Sequence, residues 1–565
     1  MANLKEKPFY LSDEDITWVN ETLEGMTQEE KIAQLFCLIA YKSEPEFLEH
    51  LAKEVKVGGL MCRPMPSAEA KEVVSILQKN STIPMLIAAN LERGGVGAMT
   101  DGTSMGSHMA VAATDNNEMG ARLGTICGRE GAAVGVNWSF APIIDIDYNF
   151  RNPITNIRTF GSDPERVKKM GLNYVTALQK EGLAASIKHF PGDGVDERDQ
   201  HLVTTINSLG CEEWDATFGE IYKTCIDAGA MTVMIGHIML PEYSKKLIPG
   251  IKDQDILPAS LAYELTTTLL KEKLGFNGLV VSDATTMAGM TIPMCREKAV
   301  PQTIAAGCDM FLFTKNMDED FAFMKKGVED GIITQERLHQ ALTKILALKA
   351  ALGLHKKQAK GTLIPTGEVP SIEEHRRWAK ECADQGITLV KEEKGVLPLT
   401  PEKYKSVLVY TIESEEGHPA YTVRVGATQL LIDKLKKEGF NVDVFVPPED
   451  LEGRMEPYSA ISDKYDLIVY IGNMSTRSNQ TTIRIEWAMP MGTNVPIYME
   501  TVPTVFISLE NPYHLLDVPR VKTFINTYAS TDNILDALMD KLTGRSEFKG
   551  VSPVDPFCGM WDTRL

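Results

Sequence analysis

From about residue 30 to residue 350 the chain repeats one pattern eight times, a short apolar run followed by a longer amphipathic stretch. The runs are Gln34 to Ala40, Val57 to Met61, Met85 to Asn90, Val136 to Pro142, Ala185 to Phe190, Thr232 to His237, Gly278 to Asp283 and Asp309 to Phe313. A strand covered on both faces reads as such a run, and amphipathic connections supply the helices that cover it. The alternation predicts an α/β fold with a parallel sheet, and eight repeats are the number that closes a (β/α)8 TIM-type barrel.

The segment PASLAYELTTTLLKEKLGFNG shows the local logic: Ser260 reads as an N-cap, apolar residues recur at helical spacing, and Gly275 reads as the stop before the next strand. After a helical stretch ending ALKAALGLHK, the run KQAKGTLIPTGEVP has the glycines, prolines and polar residues of a connector. This places a catalytic barrel over 1–356, a linker over 357–371 and a second domain over 372–565, and a chain of 565 residues is long enough for two cores. Beyond the linker, SVLVYTI, VDVFV, DLIVYIG, TVFISL and TFINTY read as strands, with QLLIDKLKKEG and DNILDALMDKLTG as helices, which predicts a smaller α/β sandwich.

A formal net charge of -19 argues against nucleic acid or an anionic membrane as a main partner, because both are met with basic patches. MANLKEKPFYLSDEDITW carries no apolar leader core, and no run reaches the roughly 18 apolar residues of a membrane span. A cytoplasmic protein is expected. The nine cysteines are scattered and never in C-x-x-C spacing, so they read as reduced, with neither disulfide framework nor zinc site. ERGGVG, Glu92 to Gly97, follows the third run but lacks the register of a phosphate loop, so no nucleotide cofactor is expected.

Catalytic groups of a barrel collect at the C-terminal ends of its strands. Asn90, Lys188, His189, His237 and Asp283 stand at the ends of their runs. A carboxylate at 283, after GLVVS, is costly to desolvate without compensation; it reads as a catalytic group or as a cap on the next helix. Asp199, Gln200 and His201 form a D-Q-H triplet in the loop after the fifth run. A carboxylate beside an imidazole orients it for general acid/base work, although the same triplet also suits a solvated loop. Arg158, in ITNIRTFGSDPERV, and Lys188 could hold hydroxyl or acyl groups, or close salt bridges at the rim. His189, His201 and His237 could meet carboxylates around a metal, but no H-E-x-x-H spacing supports one, and none is expected.

In order, EKIAQLF, FAPIIDID, NPITNIRTFGSDPERV, KHFPG, LGFNGLVVSDATTMAGM and GITLVKEEKGVLPL make the sequence resemble glycoside hydrolase family 3, in its β-N-acetylglucosaminidase branch, over nearly the whole chain. The resemblance implies a barrel joined to an α/β sandwich and a retaining mechanism in which Asp283 attacks the anomeric carbon. It implies that His201, thirteen residues after Lys188, is the acid/base in a dyad with Asp199. By the same resemblance Arg158, Lys188 and His189 bind hydroxyls of an amino sugar, His237 lines the pocket, and Asn90 stands where the family has an aspartate gripping distal hydroxyls.

The chain departs from that family at Asp193, Gly194, Val195 and Asp196, where the usual loop continues with His or Thr and then G-D-T, and at Gln200, where most relatives have Ser or Thr. GDGVDER then reads as a mobile connector between sugar-holding Lys188 and His189 and proton-moving Asp199 and His201. The expectation is an exo-acting retaining β-N-acetylhexosaminidase on a carbohydrate substrate, without metal or cofactor. The rivals are a β-glucosidase-type member whose acid is a second-domain glutamate, Glu486 or Glu500, a phosphorylase, and a sugar-binding protein without chemistry. An imidazole, unlike a carboxylate, does not repel an incoming phosphate. Asp283 and the dyad together speak against the non-catalytic reading.

Overall fold

The computed structural model describes residues 3–40, 43–366, 373–413, 426–448, 457–474, 478–488 and 492–565. The chain forms two compact units, one of Met1–Ser104, Gly120–Thr155 and Pro164–His375, the other of Met105–Met119, Asn156–Asp163 and Arg376–Leu565.

The first unit is the eight-stranded barrel. Its strands are β1 (Phe36–Ile39), β2 (Gly59–Met61), β3 (Leu86–Ala89), β4 (Trp138–Ser139), β5 (Ala184–Phe190), β6 (Thr232–Ile235), β7 (Leu279–Ala284) and β8 (Met310–Leu312). Each pairs in parallel with its sequence neighbours, and β1 closes on β8 with Phe36 opposite Phe311, so all eight predicted runs carry a barrel strand. β3 and β5 are buried at every residue, which is why their sequences lack polar alternation until their ends. Inside, the Trp138 indole N–H donates to Thr232 Oγ1 at 2.9 Å, so this large ring is buried without an orphaned donor. Outside, the helix Pro164–Lys180 buries Val167, Met170, Gly171, Tyr174, Val175 and Leu178, one stripe at helical spacing.

Between β5 and β6 the register slips from Ile187 to Phe190, the stretch that carries Lys188 and His189. Irregularities of this kind re-aim side chains at the rims of barrels. A two-stranded parallel ribbon, Thr205–Ile206 against Ile238–Met239, ties the loop after β5 to the loop after β6. The sequence reading missed it because two residues are too short for a period.

Ser260 does not cap a helix as expected: the helix runs Glu264–Lys273 with Tyr263 at its N-cap, and the Ser260 hydroxyl bonds His237 instead. Gly275 does end it, at φ +75°, a backbone shape that favours glycine. Of the predicted linker, residues 357–359 continue the helix Leu354–Ala359, and 367–371 lie outside the described residues.

The second unit is built on a six-stranded sheet of β9 (Thr388–Lys391), β10 (Ser406–Glu413), β11 (Asn441–Val444), β12 (Leu467–Asn473), β13 (Thr504–Ser508) and β14 (Thr523–Asn526). Its order is β9-β14-β13-β12-β10-β11, parallel except for the antiparallel pair β9 and β14. All five predicted strands are present, and the sixth, β9, lies in the quoted run GITLVKEEKGVLPL. On its inner face the rings of Tyr410, Tyr470, Phe506 and Phe524 stack in sequence at 4.5, 5.8 and 5.2 Å, one from each of four adjacent strands. Among the described residues no helix is long and apolar enough to cross a membrane.

Candidate active site

Asp283 is the fifth of six residues of β7 and sits at its C-terminal end. Its Oδ1 accepts the Ala284 N–H at 2.7 Å, and its Oδ2 lies 3.9 Å from His189 Nε2. Burial pushes the carboxyl up, but the His189, His237 and His201 imidazoles and the Ala284 N–H outweigh it, so Asp283 titrates below the ordinary carboxylate value and is ionised at neutral pH. Its side chain remains 13% exposed, which leaves an oxygen reachable by a ligand.

The loop after β5 brings the acid/base pair to this carboxylate. His201 Nδ1–H donates to Asp199 Oδ1 at 2.7 Å, and the same oxygen accepts the His201 backbone N–H at 2.8 Å. The Asp199 side chain is fully buried and that of His201 is 23% exposed, so the carboxylate holds the ring from below while Nε2 is left to exchange a proton. The loop docks on the segment that follows Asp283: Ala288 N–H donates to His201 O at 3.0 Å, and Thr204 Oγ1 donates to Gly289 O at 2.7 Å.

Lys188 and His189 are buried and each meets a carboxylate, as buried charge requires. Lys188 Nζ donates to Glu92 Oε1 at 2.8 Å. His189 Nδ1–H donates to Asp145 Oδ2 at 2.7 Å, while Asp145 Oδ1 accepts the backbone N–H groups of His189 at 3.0 Å and Asp193 at 2.8 Å. With Nδ1 committed, His189 turns Nε2 toward Asp283.

His237 is fully buried with both ring nitrogens used. Nε2 faces Ala284 O at 3.1 Å, and a carbonyl only accepts, so Nε2 carries the hydrogen; Nδ1 then accepts from Ser260 Oγ at 2.8 Å. Burial lowers its pKa and keeps it neutral. The ring has no nitrogen left for a ligand, so His237 props the end of β7 instead of lining the pocket.

GDGVDER is pinned, not mobile. Asp193 is buried, with Oδ1 accepting from Gly194 N–H at 2.7 Å and Asn152 Nδ2 at 2.9 Å, and Oδ2 accepting from Gln200 Nε2 at 3.2 Å. Gly194 has φ +103°, and a Cβ there would stand 1.9 Å from Ile146 O. Asp196 accepts from Arg198 at 2.6 Å and from Ile206 N–H at 2.9 Å. Burial, then the Asp145 charge, push the Asp193 carboxyl up to about 7 against the pull of His189.

Asn90 directly follows β3 at the same end of the barrel and is exposed. Arg158 belongs to the second unit, in the turn Asn156–Arg158, so the barrel unit gathers the other seven proposed site residues without it. Glu486 and Glu500 are also in the second unit and exposed, and Glu500 accepts from Lys522 at 2.8 Å. Among the described residues no group of three His, Cys, Asp or Glu side chains is arranged to hold a metal ion.

Glu92, Asp145, Asp193 and Gln200 are the functional residues that the sequence reading passed over. Asp145 carried a usable signal, since it ends the apolar FAPII just as Asp283 ends GLVVS. Glu92 stood in a glycine-bearing loop tested only for phosphate.

The family model of the glycosyl hydrolase family 3 N-terminal domain matches residues 27–348. A protein of Cellulomonas fimi named beta-N-acetylglucosaminidase/beta-glucosidase is 53% identical over 568 residues, spanning 100% of both chains. The solved structure named beta-glucoside phosphorylase BglX is similar with a TM-score of 0.92 at 44% identity over 99% of each chain, and its 2FGlc-bound form with 0.93. A family 3 beta-N-acetylglucosaminidase of Paenibacillus sp. str. FPU-7 shares the fold at 24% identity and a TM-score of 0.79, over 95% of this chain and 100% of that one.

Proposed function

The chain belongs to glycosyl hydrolase family 3, and from that premise we propose that it is a retaining, exo-acting enzyme that removes terminal β-linked N-acetylglucosamine or glucose from glycosides, with Asp283 as nucleophile and His201 as acid/base. The observation that carries the reading is the Asp199–His201 pair, bonded at 2.7 Å on a loop docked just beyond Asp283. A relative named for both sugars supports the pair of substrates. Nine unpaired cysteines support a reducing, cytoplasmic setting.

In the first step an Asp283 oxygen bonds the anomeric carbon as the bond to the leaving oxygen breaks, and His201 Nε2–H supplies the proton that the leaving oxygen takes up. In the second step neutral His201 takes a proton from water, the water oxygen bonds the anomeric carbon, and the Asp283 carboxylate departs. Asp199 stabilises the imidazolium between the steps, and Lys188, anchored by Glu92, keeps two further N–H groups for sugar hydroxyls.

An activated 2-deoxy-2-fluoro-β-glucoside should leave a covalent adduct on the peptide containing Asp283, found by mass spectrometry. An adduct elsewhere, or none with full inactivation, removes Asp283 from the role. His201→Ala should slow substrates with poor leaving groups far more than activated aryl glycosides, and equal losses would make His201 structural.

A second reading has phosphate in place of water. It is supported by the 44% identity to a protein named a phosphorylase and by an acid/base that carries no negative charge. Turnover with and without phosphate decides it: sugar 1-phosphate as the main product establishes phosphorolysis, and free sugar alone excludes it.

A further inference from the structure

We propose that Gln200 is a positioning residue that locks the acid/base loop to the nucleophile strand. The inference rests on the roles of Asp283 and His201 given above. Gln200 is the middle residue of the D-Q-H triplet, and it is fully buried between the two residues of the dyad. Its Oε1 accepts the His237 backbone N–H at 2.8 Å, and its Nε2 donates to Asp193 Oδ2 at 3.2 Å. A backbone N–H can only donate, so the amide has one possible orientation, with its oxygen on His237 and its NH2 on Asp193.

Each arm of that amide leads to Asp283 by a different route. Through His237, whose Nε2–H bonds Ala284 O at 3.1 Å, it reaches the residue after the nucleophile. Through Asp193, whose N–H bonds Asp145 Oδ1 at 2.8 Å, it reaches the carboxylate that orients His189, whose Nε2 is 3.9 Å from Asp283. The main chain of Gln200 is continuous with Asp199 and His201, so a shift of its side chain moves both. A serine or threonine hydroxyl, one bond beyond Cβ, cannot span the two partners. An error of about 1 Å in such an arrangement costs about 100-fold in rate.

The Asp193 end makes the lock sensitive to pH. The groups that face Asp193 are Asp145 and His189, the Gly194 N–H, Asn152, Gln200 and, within electrostatic reach, Tyr222. An ionised Asp193 accepts most strongly from the Gln200 amide. A carboxyl placed at position 200 would keep the His237 bond but oppose Asp193, and two carboxyls this close hold together only while they share a proton.

The test is steady-state kinetics of Gln200→Met and Gln200→Glu, relative to native enzyme, on aryl β-glucoside and aryl β-N-acetylglucosaminide at about pH 5.5 and about pH 8. Gln200→Met should lose about 30-fold in kcat with KM changed less than about 3-fold. Gln200→Glu should stay within about 3-fold of native at the acidic pH and lose at least about 10-fold more at the alkaline one. Recovery of Gln200→Glu in acid is a readout that a folding defect would not produce, and it stands even if Gln200→Met fails to fold. A Gln200→Glu variant that follows the native pH profile overturns the proposal, as does a folded Gln200→Met with native kcat. Asp283→Asn and His201→Ala, assayed alongside, separate the two levels. If either turns over at the native rate, the catalytic assignment falls; if both are lost and the Gln200 variants are native, only the role of Gln200 falls.

Discussion

Replacing Asp145 by asparagine should invert one hydrogen bond in the site and leave the rest in place. Asp145 accepts three: the His189 and Asp193 backbone N–H groups at 3.0 and 2.8 Å on one oxygen, and His189 Nδ1–H at 2.7 Å on the other. The asparagine oxygen must stay on the two backbone donors, which turns its NH2 toward Nδ1 and forces the His189 proton onto Nε2, the atom facing Asp283. The variant loses a hydrogen bond to a charged group, worth about 1.5–3 kcal/mol. Applied to the transition state this is about a 10- to 150-fold fall in kcat/KM. The assay is kcat/KM on aryl β-glucoside and aryl β-N-acetylglucosaminide beside a thermal unfolding scan, which should show little change because both backbone bonds survive. A folded Asp145→Asn protein within about 3-fold of native kcat/KM would refute the reasoning, and His189 orientation would then not matter to the chemistry.

Three further outcomes can be checked. Asp193, raised to about 7 from 3.8, holds a proton in the folded chain that the unfolded chain gives up, so its contribution to stability falls as pH rises between those values. Asp193→Asn, which cannot ionise, should flatten that part of the denaturation-midpoint profile, and an unchanged profile counts against the buried carboxyl. Glu92→Gln removes the counter-charge of buried Lys188 but keeps an acceptor, and should cost about 1–3 kcal/mol in denaturant unfolding together with a lower kcat/KM; native stability would mean that the pair is replaceable. Gly194→Ala combines φ +103° with a Cβ 1.9 Å from Ile146 O and should lower stability by at least about 2 kcal/mol, a loss that a thermal melt equal to native would contradict.

The sequence by itself determined the elements and the short-range chemistry. The eight runs became eight barrel strands because a strand buried on both faces must be apolar along its length, and that signal is local. Asp283 was legible for the same reason, as polarity that a buried strand tolerates only at its end. Asp199 and His201 were legible because two residues on one loop can meet without help from the rest of the fold, as they do at 2.7 Å.

Only the tertiary structure decided who meets whom across the chain. Glu92 and Lys188 are 96 residues apart, Asp145 and His189 are 44 apart, and Gln200 and His237 are 37 apart. Ring closure brings the ends of β3, β4, β5 and β6 together, and no periodicity records which side chains then face one another. Local propensity made Ser260 a helix cap, but a buried imidazole with an open acceptor claimed its hydroxyl. Composition made GDGVDER a solvated connector; folding buried Asp193 because Gly194 lets the loop lie flat on the Ile146 carbonyl, a packing that depends on the neighbouring strand and not on the loop's own residues.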